Sequence, residues 1–567
     1  MTDPSSTPGH PLEAAARAWL AVDPDPVTRA ETAALLAAHD EVGLAARFGG
    51  RLVFGTAGLR GPLGAGPLRM NRVVVRQTTA GLARFLLRRD AADSRDALEG
   101  PTAVVGYDGR HNSQVFAQDA AAVLAAAGIA VTLLPRALPT PVLAFAVRDL
   151  DASAGVMITA SHNPAADNGY KLYLGGADAG SQLVSPADAQ VLAAIDAVVA
   201  EGAGAGPGDP GAVTVAGEDL LDRYVAATAA LASTVGELPW VYTPMHGVGL
   251  NTVRRVLSAA GLPSPSVVAE QAEPDPDFPT APFPNPEEPG TLDLAFALAS
   301  ATGAELVLAN DPDADRLAVA LPTPAGWRRL TGNEVGLLLG WRIAQGAGPV
   351  AGPSRASGGS TLACSIVSTP GLARIAERFG FVATETLTGF KWTSRVPGLL
   401  FGFEEALGYL VDADAVHDKD GVSALVVLLS IAIELRAEGR TLADLQTEIE
   451  EAIGRHDSDQ VSIRVDDLAA LGAMTDALRA APPASIGGLE VLAADDLAAG
   501  GDLPPTDALR YHLAGSARVI VRPSGTEPKL KVYLDVMSEA PTAEARAAET
   551  SATLAALRAA VPTLLGG

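Results

Sequence analysis

Apolar and polar positions along the chain repeat in strand, helix, strand order. Ala and Leu recur at helical spacing through residues 12–20 and 28–48, and Gly49-Gly50 ends that pattern. From Thr102 the text changes: 103–107 is an apolar run, 115–127 is helical, Gly128 stops it, and 129–134 is a second apolar run. This is a βαβ unit. A further buried strand, 155–159, runs into Ala160-Ser161-His162-Asn163-Pro164, and loops at the carboxyl ends of parallel strands are where α/β proteins carry chemistry.

Residues 201–211, rich in Gly, Ala and Pro, read as a linker. Gly206 to Gly211 formally match G-x-G-x-x-G, but no strand precedes them and two prolines lie inside, so no dinucleotide site is expected. A second unit follows, with strands at 240–242, 267–269 and 306–309 and helices at 251–260 and 292–301. Its last strand delivers the loop 311–316, while proline-crowded 273–290 excludes regular structure. A third unit has helices at 334–344, 372–379 and 422–437 and strands at 362–367, 382–386 and 399–403, with loops holding 388–391 and Glu404-Glu405. Beyond His456, strands at 461–465, 518–521 and 531–534 and a helix at 542–560 suggest a smaller α+β domain. The expected division is 1–205, 206–325, 326–450 and 451–567, within the three to five domains that 567 residues imply.

Composition narrows the classes. Lys plus Arg number 41 against 66 Asp plus Glu, and a net charge of −25 disfavours nucleic-acid or membrane-surface partners. With 48% hydrophobic and 19% charged residues the chain is too apolar for wholesale disorder, and its longest apolar stretch, 422–433, is too short to span a bilayer. The start, Met1-Thr2-Asp3-Pro4, lacks the basic and apolar regions of a signal peptide, and the lone Cys364 allows neither an internal disulfide nor a cysteine zinc site. A cytoplasmic location is expected. Positive charge is nearly all arginine, since only five lysines occur: Lys171, Lys391, Lys419, Lys529 and Lys531. A chain that uses Arg by default yet keeps Lys at a few places raises the question of whether a compact, titratable ammonium is needed there.

Asp311, Asp313 and Asp315 alternate in one loop, where mutual repulsion favours a bound hard cation. A calcium EF-hand would need Gly and Glu where the chain has Arg316 and Pro322. Three protein oxygens leave an octahedral Mg²⁺ open to water or to a phosphate oxygen, the usual arrangement in phosphoryl transfer. Ser161, beside His162, fits a nucleophile, a phosphoryl carrier or a turn hydrogen-bonder; its flanking Ala160 and His162 disfavour a G-x-S-x-G elbow. The run Arg522-Pro523-Ser524-Gly525-Thr526-Glu527-Pro528-Lys529 has the ingredients of an anion cradle: a guanidinium fork, two hydroxyls and a glycine backbone. It is no Walker A loop, because no lysine of the chain is followed by Ser or Thr. Gly55-Thr56-Ala57-Gly58-Leu59-Arg60-Gly61 has similar ingredients.

Thr159 to Pro164, Asp311 to Arg316, Gly402 to Gly408 and Arg522 to Lys529 resemble, in order, the four signatures of the α-D-phosphohexomutase superfamily. Phe54 to Gly61, Tyr242 to Gly249 and Asp418 to Ala424 look more like its phosphoglucomutase-2 and phosphopentomutase branch. The resemblance implies three similar α/β domains and a smaller α+β domain around a central cleft, and a mutase that interconverts sugar 1-phosphate and 6-phosphate through a sugar bisphosphate, with a sugar 1,6-bisphosphate as activator. It also implies that Ser161 carries the phosphoryl group, that phosphorylated Ser161 with Asp311, Asp313 and Asp315 holds Mg²⁺, and that Arg316 attends the phosphoserine. Glu404 matches the sugar-hydroxyl ligand, and Arg522, Ser524, Gly525, Thr526 and Lys529 match the phosphate-binding loop. Thr56 and Lys391 are implied at the substrate, and Arg60 and Lys171 near the transferred groups. Lys171, with a depressed pKa, is the first candidate for general base and His162 the second. Four of the five lysines thus fall in motif loops, and Lys531 reads as a strand residue.

The third signature departs from many hexomutases, which have Ser where this chain has Ala406. One hydroxyl contact to the sugar is then lost, and hexose and pentose phosphates both stay open, as does a sugar-bisphosphate synthase. A non-catalytic sugar-phosphate binder would need a broken nucleophile or metal site, and both are intact in the sequence.

Overall fold

The computed structural model describes residues 11–53, 58–92, 100–202, 213–346, 359–464, 468–523 and 529–565. Thr56, Ser524, Gly525 and Thr526, and most of the 201–211 stretch with its glycine motif, lie outside the described residues. Among the described residues three helices come first: Pro11–Val22, Pro26–Ala37 and Glu41–Phe48. The helical stretch expected over 28–48 is therefore two helices. Asp40 accepts a hydrogen bond from the Gly43 N–H at 2.9 Å and so caps a new start, after His39 turns the chain with φ 50°.

Among the described residues four sheets follow in sequence. In the first, strands Ala154–Ile158, Thr102–Tyr107, Ala130–Leu133 and Val213–Val215 run parallel, and Asp167–Leu174 and Leu59–Pro62 add antiparallel beyond Ala154–Ile158. The second sets Leu306–Asn310, Trp240–Thr243 and Ser266–Val267 in parallel, with Leu317–Thr323 and Gly326–Arg329 antiparallel beside Leu306–Asn310. Ser266–Val267 is shorter than the expected 267–269, because a 3₁₀ turn at Ala269–Gln271 takes over. In the third, Val382–Thr386, Thr361–Ser365 and Leu399–Glu404 are parallel and Gly408–Leu410 is antiparallel to the last. The fourth is six-stranded and wholly antiparallel, with helix Ala543–Leu564 packed on it, the smaller α+β unit.

The first three sheets share one device that positions the chemistry. In each, a buried parallel strand turns directly into its antiparallel neighbour: Ala154–Ile158 into Asp167–Leu174, Leu306–Asn310 into Leu317–Thr323, and Leu399–Glu404 into Gly408–Leu410. Each connecting loop holds one non-glycine residue with positive φ: Ser161 at 54°, Ala314 at 56° and Leu407 at 63°. Such residues cost energy in the left-handed region and persist where their surroundings fix them.

The faces of these sheets are knitted by one large apolar core that includes Val142 and Leu143 of the first unit, Tyr242 and Val256 of the second, and Leu338 and Leu425 of the third. Helix Gly421–Ala437 is apolar nearly all round and almost wholly buried within it, which leaves its apolar surface covered on every side. No helix of the described residues is long and apolar enough to cross a membrane. Gly421 itself is constrained: a β-carbon there would lie 2.3 Å from the Arg316 carbonyl oxygen, so the helix start presses directly on the acidic loop.

Candidate active site

Ser161 is buried at the turn after Ala154–Ile158. Its N–H donates to Thr159 Oγ1 at 2.8 Å, while its Oγ donates to Asp311 Oδ2 at 2.9 Å and lies 3.1 Å from His162 Nδ1. Burial, reinforced by the Arg316 and Arg60 charges, pushes His162 well below its ordinary pKa, so the ring is neutral at pH 7. The loop's backbone is gathered by Arg110. Its Nη2 donates to the carbonyls of Ser161 (2.7 Å) and Asn163 (2.5 Å), and its Nη1 to those of Pro164 (2.8 Å) and Asp167 (3.2 Å). Nothing in the sequence signature marks Arg110. Lysine cannot span four carbonyls from one planar fork, so Arg110→Lys is expected to lower kcat about a hundredfold through misplacement of Ser161. Steady-state kinetics with a melting curve on the same sample checks this.

The acidic loop meets Ser161 from the second sheet. Asn310 closes the loop: it accepts from the Tyr242 hydroxyl at 2.8 Å and donates to the Arg316 carbonyl at 2.6 Å. Asp311 Oδ1 accepts from the Arg316 N–H at 3.0 Å. Asp313 Oδ2 accepts from Thr140 Oγ1 at 2.6 Å and from Lys171 Nζ at 2.7 Å, and Asp315 Oδ2 from Lys171 Nζ at 2.7 Å. Lys419 Nζ lies 3.5 Å from Asp315 Oδ2. Burial opposes ionisation of all three acids. For Asp311 the Asp313 and Asp315 charges add to burial and push it well above the carboxylate range, whereas at Asp313 Lys171 outweighs burial, as Lys171 and Lys419 do at Asp315.

These residues fit a divalent cation. One oxygen from each acid can be chosen within 4.8 Å of the others, and Asp313 Oδ1 and Asp315 Oδ1 are buried with no hydrogen-bond partner among the described residues. A hard, oxygen-liganded cation would satisfy both orphaned oxygens.

Lys171 departs from expectation. Burial works to lower its pKa, but Asp313 and Asp315 outweigh burial and hold it above the ordinary lysine value. The pairing that brings it to the site is thus what prevents the depressed pKa expected of a base. It reaches the acids from strand Asp167–Leu174, opposite Met157. Arg60 stands on Leu59–Pro62 opposite Gly169, half-buried, and its Nε has no hydrogen-bond partner among the described residues. This strand can approach because position 169 is glycine: a β-carbon would lie 2.6 Å from the Thr159 carbonyl oxygen and 2.8 Å from that of Leu59.

The third loop supplies Glu404, half-buried at the end of Leu399–Glu404. Burial raises its pKa to about 7, against the opposing pull of Lys419 and Arg316. Arg316 lies between loops, with Nε 4.0 Å from Asp311 Oδ2 and 3.8 Å from Asp315 Oδ1, and it bridges to Gly408. Because folding raises the Glu404 pKa, its contribution to stability is present below about 4.5 and is lost as pH rises through about 7. Glu404→Gln, which cannot ionise, is expected to gain stability over the parent as pH goes from 5 to 8; parallel denaturant titrations at these pH values check it.

Other expected residues sit farther out. Lys391 is buried in the short helix Phe390–Thr393, with Nζ 5.6 Å from the Trp392 ring centre, and burial lowers its pKa. Arg522, next to last in strand Arg518–Pro523, donates to Thr388 Oγ1 at 2.6 Å, which ties the fourth unit to the loop that carries Lys391. Lys529 begins strand Lys529–Ser538. His111 pairs with Asp277 at 2.7 Å and His246 with Thr280 at 2.9 Å, so both brace loops. Thr140 stands outside the expected residues, yet its hydroxyl and N–H both bond Asp313 across the boundary between units; its place between Pro139 and Pro141 at a helix start is the local signal for it.

Comparison with known proteins agrees with this geometry. Four family models match consecutively: phosphoglucomutase/phosphomannomutase alpha/beta/alpha domain I over residues 51–198, domain II over 222–325, domain III over 331–452, and the C-terminal domain over 461–553. A probable phosphomannomutase of Haemophilus influenzae is 49% identical over 474 residues, covering 83% of this chain and 94% of that one. A probable phosphoribomutase of Schizosaccharomyces pombe is 35% identical over 558 residues, with 91% and 92% covered. The fold matches a crystal structure of a phosphoglucomutase/phosphomannomutase family protein from Burkholderia thailandensis with a TM-score of 0.65 at 22% identity, over 90% of this chain and 98% of that one. With its three equivalent loops, its acidic triad against a buried serine and all four domain models matched in order, the chain belongs to the phosphoglucomutase/phosphomannomutase family.

Proposed function

We propose that this protein is a Mg²⁺-dependent phosphosugar mutase that interconverts hexose 1-phosphate and 6-phosphate, of the glucose or mannose series. The observation that carries the reading is the 2.9 Å hydrogen bond from Ser161 Oγ to Asp311 Oδ2, which seats a buried serine on the acidic loop of another unit. Asp311, Asp313 and Asp315 would hold Mg²⁺, with an oxygen of the phosphorylated Ser161. When bound, the cation supplies charge neutralisation on the transferring phosphoryl group.

In the first half-reaction the sugar hydroxyl attacks the phosphorus on Ser161, the bond to Ser161 Oγ breaks, and a sugar bisphosphate forms. The hydroxyl must give up a proton and Ser161 Oγ must receive one. His162, neutral and 3.1 Å from Ser161 Oγ, is the group placed to exchange it, and it displaces Lys171 as first candidate. Lys171, held as an ammonium, orients Asp313 and Asp315 and offsets their charge. The bisphosphate then turns, and the second half-reaction returns its other phosphoryl group to Ser161. Arg522, Ser524, Gly525, Thr526 and Lys529 would grip the distal phosphate, with Thr56, Arg60, Arg316 and Lys391 around the substrate and Glu404 on the sugar hydroxyls.

A pentose 1-phosphate is the second reading. Ala406 supplies no hydroxyl in the third signature, and the 35% identical relative is named a phosphoribomutase. Initial rates on glucose, mannose and ribose 1-phosphates, measured in parallel with Mg²⁺ and trace hexose 1,6-bisphosphate, decide between them. The expected result is a hexose kcat/KM at least about tenfold above that for ribose, about 1.4 kcal/mol of transition-state preference. A ribose preference supports the pentose reading, and no turnover on any of the three overturns the mutase.

A further inference from the structure

Lys419 is flanked in sequence by two buried aspartates, Asp418 and Asp420, and each is held from a different unit. Asp418 Oδ2 accepts from the Tyr173 hydroxyl at 2.7 Å and from Gln182 Nε2 at 2.6 Å, both of the first sheet. Its Oδ1 accepts from the Lys419 N–H at 2.8 Å and from Lys419 Nζ at 3.3 Å. On the other side, Asp420 caps helix Gly421–Ala437 through the Val422 and Ser423 N–H groups at 2.9 and 3.0 Å. The same carboxylate accepts from the Tyr224 hydroxyl, of helix Glu218–Ala229, at 3.0 and 3.1 Å. Both tyrosines are wholly buried, so neither hydroxyl has water as an alternative partner.

The lysine stem is confined as well. A β-carbon at Gly408 would lie 2.4 Å from Lys419 Cδ, and the ammonium lies 5.3 Å from the Phe390 ring centre. Walls of this kind define a track; along it the ammonium stops 3.3 Å from Asp418 Oδ1 and 3.5 Å from Asp315 Oδ2, while Asp420 anchors the backbone that follows the lysine.

We propose that Tyr173 and Tyr224 are positioning residues that act through Asp418 and Asp420 to fix the Lys419 ammonium on the acidic loop. Lys419 belongs to the third unit and Asp315 to the second, so the tyrosines make the lysine's placement depend on the first and second units being docked against its loop. The kinetic consequence rests on the mutase reading, whereas the placement does not.

Two measurements on the full-length protein test this. The first is brief acylation with an amine-reactive ester, read residue by residue by mass spectrometry. Tyr173→Phe and Tyr224→Phe are each expected to raise labelling of Lys419 about tenfold relative to Lys529, with Lys171 unchanged, because one hydrogen bond to a charged group is removed. The second is a double-mutant cycle. Each Tyr→Phe change is expected to lower kcat about tenfold with little change in KM, and the same change made in Lys419→Met is expected to cost less than about twofold, because its route is already cut. Lys419 labelling at the parental level in both variants overturns the proposal, and so does a kcat loss that persists in full in Lys419→Met, which a merely structural tyrosine would give. If one variant does not fold, the other carries the test. Labelling needs no turnover, so it decides the placement even if the parent protein turns over no sugar phosphate.

Discussion

Ser161→Ala is expected to lose turnover by at least about 10⁴-fold while remaining folded. On the proposed cycle the loss follows from chemistry, because the substitution deletes the hydroxyl that sits on the acidic loop and would carry the phosphoryl group between the two half-reactions. Retention of the fold follows from what stays in place. The loop backbone is held by Arg110 through four carbonyls, and none of these bonds involves the serine side chain. Alanine meets the same penalty as serine at a φ of 54°, so the backbone cost largely cancels. What is removed is one donor to Asp311, about 1 to 3 kcal/mol of local satisfaction. Circular dichroism and thermal melting beside kinetics separate the two effects. A variant that stayed active would remove the phosphoserine cycle altogether.

Asp313→Asn is the second large effect. The amide keeps an oxygen for the Thr140 hydroxyl at the position now 2.6 Å away, so the contact across the boundary between units is retained. The negative charge is not. Lys171 is left with Asp315 as its one charged partner from this loop, and the site that three carboxylates make for a cation is reduced to two. Several kcal/mol of transition-state charge stabilisation should disappear, about 10³-fold in kcat. A readout free of turnover accompanies it. Mg²⁺ should raise the melting temperature of the parent protein by mass action and leave that of Asp313→Asn unmoved. An equal Mg²⁺ shift in both would place the ion elsewhere.

Much of this site was legible in the sequence, and the reason is local. Each signature is a loop whose few residues carry their chemistry together: alternating carboxylates, a serine beside a histidine, a glutamate at a strand end. The order of strands and helices was also readable where strands are buried on both faces and so appear as apolar runs. What was illegible depends on burial of polar groups or on contacts far apart in sequence. Helix Arg72–Ala92 went unnoticed because buried polar Arg76, Gln77, Thr78 and Thr79, with Arg76 paired to Asp119, interrupt its buried apolar positions Val73 to Val75 and Leu82, Ala83, Phe85 and Leu86 and blur the period. Strand Asp167–Leu174 was visible only as the motif around Lys171, since Asn168 and Lys171 are buried polar residues. Arg110, Thr140, Tyr173 and Tyr224 act on partners 51 to 245 positions away, and no local pattern encodes such a pairing. The Lys171 pKa was misjudged for the same reason: burial suggests a lowered value, and only the folded structure brings Asp313 and Asp315 against the ammonium.

The central claim is that Ser161 Oγ carries the phosphoryl group. Its most direct test mixes dephosphorylated protein with glucose 1,6-bisphosphate and Mg²⁺, quenches the mixture within one turnover, and reads intact mass and the modified peptide. The account predicts a gain of one phosphoryl group per chain, located at Ser161, with release of glucose monophosphate and loss of the label on adding excess sugar monophosphate. Label on any other residue, or none at Ser161 while sugar phosphates are still interconverted, would contradict it.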